Sequence, residues 1–130
     1  NGVCWVNDSK ATNVGACIAA LQGFKNRNVV LIAGGDAKGA EMHELVPILK
    51  EKVKALLLIG KDSTLIQQAV NGCIPVINAG TLKKAIKKAA EIAELGDTVL
   101  LSPACASFDQ FANYQERGSI FSHKVKALVK

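Results

Sequence analysis

Lys10 and Lys38 each sit in a polar segment that follows an apolar run: NDSKATN after VCWV, and GGDAKGAE after NVVLIA. Two ammonium groups brought from separate loops to one small ligand favour an anion. One such pair at ~4 Å is worth about 4 kcal/mol at an effective dielectric of 20, before desolvation is subtracted. Thr12 stands where a helix should begin, and the free N–H groups there favour a carboxylate or phosphate. Its hydroxyl can cap the helix or reach a ligand; taken alone, capping is the commoner role. A lone lysine is likewise usually just solvated. The anion reading therefore depends on these residues sharing one edge of the fold.

Other candidates carry less chemistry. Asp8 and Asp36 can neutralise the lysines, hold a ribose hydroxyl or cap turns, and turn-capping is the usual role of Asp in such loops. Gly34 and Gly35 let a backbone approach a ligand closely, but G-x-G-x-x-G and the P-loop pattern are both absent. No independent nucleotide hydrolysis is expected. Ser102 and Ser107 flank PACA, yet G-x-S-x-G is missing. His43 and His123 have no partner pattern, so a Ser-His-Asp triad is not expected. Cys105 has no evident base, and small-residue packing accounts better for Ala104, Cys105 and Ala106.

Phe108, Phe111 and Tyr114 recur every three residues and share a helix face. Core packing suits Phe111, while Tyr114 can line a pocket. Lys83, Lys84, Lys87 and Lys88 make a basic helix face without interleaved aromatics, which reads as solvated rather than as a nucleic-acid patch. Lys87 and Glu91, at i and i+4, are the pair expected to meet there.

The elements that must position these residues alternate along all 130 positions. Strands are expected at 3–6, 28–33, 55–59, 74–77 and 98–101. Helical stripes follow: Val14, Cys17, Ile18 and Leu21; a segment over 44–52, where Pro47 is tolerable only in a first turn; Leu65, Ile66, Ala69 and Val70; and Leu82, Ile86, Ala89 and Ala93. Thr12 or Asn13 caps the first helix and Gly23 ends it; Asp62 or Ser63 caps the third. From Phe108 onward the chain reads as helix interrupted near Gly118.

Strands without polar alternation, each followed by an amphipathic helix, imply an α/β, Rossmann-like, doubly wound and mostly parallel sheet with helices on both faces. Ligands in such folds bind outside the carboxyl ends of the strands. The loops entering the strands are plain, whereas NDSKATN, GGDAKGAE and SPACASFDQF all leave strands. Three unusual segments thus converge on one edge.

The composition, 49% hydrophobic but only 5% aromatic, calls for an aliphatic core in one domain. No apolar run is long enough to span a membrane, and no basic n-region with an apolar stretch opens the chain. The absent starting Met suggests a piece of a longer protein. Cys4, Cys17, Cys73 and Cys105 lack C-x-x-C spacing and are expected to be buried free thiols of a reducing compartment. The net charge of +5 is spread over one helix face and the C-terminus and carries little weight.

VNDSKATN, LIAGGDAKG and LLSPACASFDQFANYQERGSIF resemble the C-terminal domain of the Mur ligases of bacterial peptidoglycan synthesis, and among these the D-glutamate-adding branch. The resemblance runs from about Val3 to the end. It implies a cytoplasmic, three-domain, monomeric ligase. In that arrangement residues 1–130 form the D-glutamate-binding domain, and the UDP-sugar and central ATPase domains lie elsewhere. It further implies that ATP phosphorylates the carboxylate of UDP-N-acetylmuramoyl-L-alanine and that the D-glutamate amine attacks the acyl phosphate. ATP and Mg²⁺ would be bound mainly by the central domain. Carried over, Lys10, Thr12, Lys38 and Ser107 surround D-glutamate, with Tyr114 as pocket wall. Asp8 lies towards the nucleotide and Asp36 behind the contact residues. Phe108 takes a place often aliphatic in the family. This chain alone is expected to be inactive, with no metal, nucleic acid or membrane bound. Rival readings are a module for another small anion, or the final domain of a different amino-acid-adding ligase.

Overall fold

The structure, a computed structural model, describes residues 2–36, 42–105 and 111–128. Lys38, Ser107 and Phe108 lie outside these residues. Among the described residues five strands and five α-helices follow one another: β1 Cys4–Asn7, α1 Val14–Gln22, β2 Val29–Gly34, α2 Val46–Lys52, β3 Val53–Ile59, α3 Ser63–Val70, β4 Val76–Gly80, α4 Leu82–Ile92, β5 Thr98–Leu101 and α5 Tyr114–Leu128.

The strands form one sheet in the order β1-β5-β2-β3-β4, and every pairing is parallel. The steps β1→β2, β2→β3 and β3→β4 run the same way across the sheet, while β4→β5 steps back. Right-handed crossovers then place the intervening helices on opposite faces. The packing agrees. Val29, Leu31 and Ala33 of β2 face Cys17 and Leu21 of α1, Leu49 of α2 and Ile66 of α3. Val30 and Ile32 face Ile86 of α4 and Phe121 of α5. This alternation is the period of two of a strand buried on both sides, which is why β2 shows no polar alternation. The doubly wound α/β expectation holds.

A register shift opposes Val29 to Val53 and Val30 to Ala55, so Lys54 is an extra residue on β3. Its ammonium reaches Asp97 at 2.7 Å and Glu94 at 3.0 Å. These carboxylates raise its pKa, the Asp97 hydrogen bond most.

Several boundaries differ from the sequence reading, each for a local reason. Of the two caps expected for α1, Asn13 takes the role, accepting from the Ala16 N–H at 2.8 Å. Residues 42–45 form a 3₁₀ turn and α2 starts only at Val46, which leaves Pro47 in the first turn as its missing N–H requires. The fourth strand lies at Val76–Gly80 rather than 74–77, because Pro75 has no N–H for the ladder and contributes only its carbonyl, to Leu56 N–H at 2.9 Å. Glu91 meets Lys88 at 3.6 Å, one residue from the pair expected. Helix α5 begins at Tyr114 and runs unbroken through Gly118. That glycine is buried: a Cβ there would stand 3.0–3.1 Å from the Asn7 amide and from Ser9 Cβ. It serves close packing, not a break.

None of the four cysteines is in a disulfide, but only Cys17 and Cys105 are buried. Cys4 lies on edge strand β1 and Cys73 in the loop after α3, so both are exposed and the expectation of four buried thiols fails for them. No helix among the described residues is long and apolar enough to cross a membrane.

Candidate functional site

Strand β1 leaves the sheet through NDSKATN in a tightly bonded path. The Asp8 N–H still pairs with the Leu101 carbonyl at 2.8 Å. The Asn7 side chain then accepts from the Ser9 N–H at 3.0 Å, closing an Asx turn. Ala11 N–H returns to the Asp8 carbonyl at 2.9 Å, and Thr12 N–H to that of Lys10 at 2.8 Å. Ser9 is buried and Lys10 exposed, with Asp8 and Thr12 between these extremes. The polar cluster ends a strand and starts a helix, as its sequence predicts, and its Lys10 is exposed.

Beside it, β5 ends at Leu101, and the hydroxyl of the next residue, Ser102, donates to the Asp8 carboxylate at 3.3 Å. Pro103 accepts from the Gly34 N–H at 2.9 Å, and the Ala104 N–H donates to Ala11 at 3.0 Å. Gly34, at φ +125°, has the Ile59 carbonyl 1.9 Å from where a Cβ would stand, so no other residue fits. Helices α1 and α2, which follow β1 and β2, pack on one face of the sheet and α5 packs on the other. The carboxyl end of β5 is therefore flanked by switch points, where such folds bind ligands.

Under this edge lies Cys17, whose thiol donates to the Ser102 carbonyl at 3.1 Å. Burial pushes that thiol up to about 12; a hydrogen bond with Ser102 opposes the rise and the Asp8 charge adds to it. A thiol so far from ionising is no nucleophile at neutral pH.

The α5 side of the edge is closed by Arg117, which is 1% exposed. Its Nη2 donates to the Ser9 carbonyl at 2.7 Å, its Nε to the Ser9 hydroxyl at 2.9 Å, and its Nη1 to the Cys105 carbonyl at 3.1 Å. The Ser9 hydroxyl in turn donates to the Tyr114 carbonyl at 2.7 Å. Between β1 and α5 an open groove of about 720 Å³ is lined by Asp8 and Lys10 on one side and Tyr114, Ser119, His123 and Lys126 on the other.

Of the residues singled out from the sequence, Asp8, Lys10 and Tyr114 share this groove, and Thr12 follows two residues after Lys10 at the foot of α1. Asp36 stands apart, its carboxylate 3.7 Å from the Lys61 ammonium at the end of β3. Lys38 and Ser107 are not among the described residues. No group of three or more His, Cys, Asp or Glu side chains able to hold a metal ion occurs among the described residues. The sequence reading missed Arg117 and Ser9. One signal was present: Tyr114, Arg117, Gly118 and Phe121 fall at i, i+3, i+4 and i+7, which puts a charge on an otherwise inward stripe.

Residues 1–105 match the family described as Mur ligase, glutamate ligase domain. The chain is 54% identical over 127 residues to the UDP-N-acetylmuramoylalanine--D-glutamate ligase of Methylococcus capsulatus, covering 98% of this chain and 28% of that protein. It is 47% identical over 130 residues to the ligase of that name from Pseudomonas aeruginosa, covering 98% and 29%. With that from Saccharophagus degradans the identity is 50% over 124 residues, covering 94% and 27%. The chain thus spans less than a third of the length of these relatives.

Proposed function

The chain belongs to the Mur ligase family, in its glutamate ligase domain, and from that premise we propose that it is the amino-acid-receiving domain of a D-glutamate-adding ligase. The observation that carries this is the shared edge. The loops after β1 and β5 are bonded to each other, and an exposed Lys10 stands beside a half-buried helix N-terminus.

In this reading D-glutamate enters at the carboxyl ends of β1, β5 and β2. The Lys10 and Lys38 ammonium groups take its two carboxylates. The Thr12 and Ser107 hydroxyls donate to them or orient the amine, and Tyr114 walls one side. Fixing two carboxylates and an amine in three directions also selects D over L. Asp8 lies at the nucleotide side, where its position beside Lys10 in the groove suits a ribose hydroxyl. Asp36, its carboxylate 3.7 Å from the Lys61 ammonium, stands behind the contact residues.

The reaction is the formation of an amide at the expense of ATP. The carboxylate of UDP-N-acetylmuramoyl-L-alanine takes the γ-phosphoryl group. The neutral amine of D-glutamate attacks the acyl phosphate, and the tetrahedral intermediate expels phosphate and loses a proton to give the amide. The described residues offer no phosphate-cradling glycine motif and no metal-holding cluster, so we assign no step with ATP or Mg²⁺ to this chain. Those groups fall to the parts of the ligase that this chain does not span.

Backbone amide shifts of the isotope-labelled chain, titrated with D- and then L-glutamate, test the reading. Shifts at Lys10, Thr12, Lys38 and Ser107 with the D enantiomer alone support it. A response to L-glutamate alone would favour another amino-acid-adding ligase, and equal responses a general small-anion module.

A further inference from the structure

We infer that Arg117 is a positioning residue for D-glutamate, fixing three walls of the receiving site against one another without touching the ligand. The inference rests on the preceding assignment of Lys10, Thr12, Ser107 and Tyr114 to that site. Arg117 bonds Ser9, the residue before Lys10, and stands on the helix that Tyr114 begins. Its guanidinium grips the Ser9 carbonyl and hydroxyl, one residue before Lys10, and the Cys105 carbonyl, two residues before Ser107. Its own helix carries Tyr114 one turn earlier, and the Ser9 hydroxyl donates to the Tyr114 carbonyl at 2.7 Å. One side chain therefore joins the loop after β1, the loop after β5 and the start of α5.

The fork geometry is what makes this role specific. A planar guanidinium presents several N–H groups in fixed directions and can hold two carbonyls of different loops at once; a lysine offers a point charge on a flexible stem. Burying such a charge is costly, and a hydrophobic side chain of similar volume often packs as well or better. Arg117 is 1% exposed, so its position suits the registry it imposes more than the stability it adds. Gly118 makes the approach possible, since a Cβ there would stand 3.1 Å from Ser9 Cβ. Ala104 and Cys105 pack on the same face of the sheet as α1, whereas Phe121 of α5 packs on the other, so a small rotation of α5 would shift Tyr114 against Lys10. Misplacing reacting groups by about 1 Å can cost on the order of a hundredfold in rate.

The test compares Arg117→Met and Arg117→Lys in the complete ligase that carries this chain. We expect KM for D-glutamate to rise roughly tenfold to a hundredfold in both, with KM for ATP and for the UDP-sugar within about twofold of wild type. A merely structural arginine would lower the folded fraction, and so kcat, while leaving KM for D-glutamate unchanged; that result in a folded variant overturns the inference. Should neither variant fold, the wild-type protein decides. Saturating D-glutamate should slow hydrogen exchange at the Arg117 Nε–H as the site tightens, and unchanged exchange rejects the role. If the wild-type ligase shows no D-glutamate-dependent turnover, the site assignment itself fails and this inference with it.

Discussion

Replacing Lys10 by alanine removes an exposed ammonium from the edge where β1 and β5 end. In the complete ligase this should lower kcat/KM for D-glutamate by about tenfold to a hundredfold, the loss of one desolvated charge-assisted contact. Lys87→Ala, on the basic face of α4, should leave it unchanged, and steady-state kinetics on the pair checks both. Cys17 makes a different prediction. Its folded pKa, raised by burial to about 12, exceeds the ordinary 9.0 of an unfolded thiol. The folded state then holds its proton where the unfolded state has lost it. The thiol's contribution is intact below the unfolded pKa and lost as pH climbs from about 9 towards 12, at up to about 1.4 kcal/mol per pH unit. Urea unfolding between pH 8 and 10 should show a flatter alkaline decline in Cys17→Ala than in wild type. At this scale legibility was uneven. Lys10 and Asp8 were readable because polar residues directly after an apolar run must emerge at a strand end. Thr12 and Asn13 could not be told apart as caps, since both have the oxygen and only backbone geometry chooses. Arg117 was hidden, because an arginine in QERG looks solvated until the partner carbonyls of Ser9 and Cys105, 108 and 12 residues away, are folded against it.

Gly118 shows how an element is judged by what it packs against. In an exposed helix Gly→Ala stabilises, because the unfolded chain loses freedom. Here the new Cβ would stand 3.0 Å from the Asn7 amide nitrogen and 3.1 Å from Ser9 Cβ. Helix α5 must then move off β1, and Gly118→Ala should destabilise by about 1–3 kcal/mol, the usual range for overpacking. Denaturant melts measure this directly, and a stabilised variant would show that α5 can yield at no cost. The Asn7 side chain, which donates to the Gly118 carbonyl at 3.1 Å and to Ser122 at 3.2 Å, is the contact most exposed to that shift. A glycine inside a helical pattern is ambiguous in sequence: it reads as a break when its neighbour is unknown and as a close contact once β1 lies beside it. Strand cores were legible for the opposite reason. NVVLIA and ALLLI are apolar on both alternations, and only a strand covered on both faces uses every residue so. Their ends were less so, because the Lys54 bulge and the missing N–H of Pro75 are settled by the neighbouring strand.

Across the whole molecule, the order β1-β5-β2-β3-β4 puts the last strand between the first two, and this brings SPAC beside NDSKATN. Sequence showed that both segments leave strands, hence that they lie on one edge; it did not show that they are neighbours, because strand order depends on where β5 inserts. The resulting site is one-sided. Lys10 is exposed, and the groove between β1 and α5 opens to solvent over much of its length. Electrostatic contacts in such a place are screened, and become strong only when another body excludes water. The chain spans 28% of the length of the Methylococcus relative, so that body is expected from the rest of a ligase. The 130-residue chain alone should therefore release no phosphate from ATP when given Mg²⁺ and D-glutamate. Its titration with D-glutamate should require far higher concentrations than those that saturate the complete enzyme. A coupled phosphate-release assay on the chain and on the whole ligase makes the comparison. Turnover by the chain alone would mean that the phosphoryl chemistry lies within these residues after all. Tight binding without turnover would mean that the receiving pocket is preformed and that closure serves only the nucleotide.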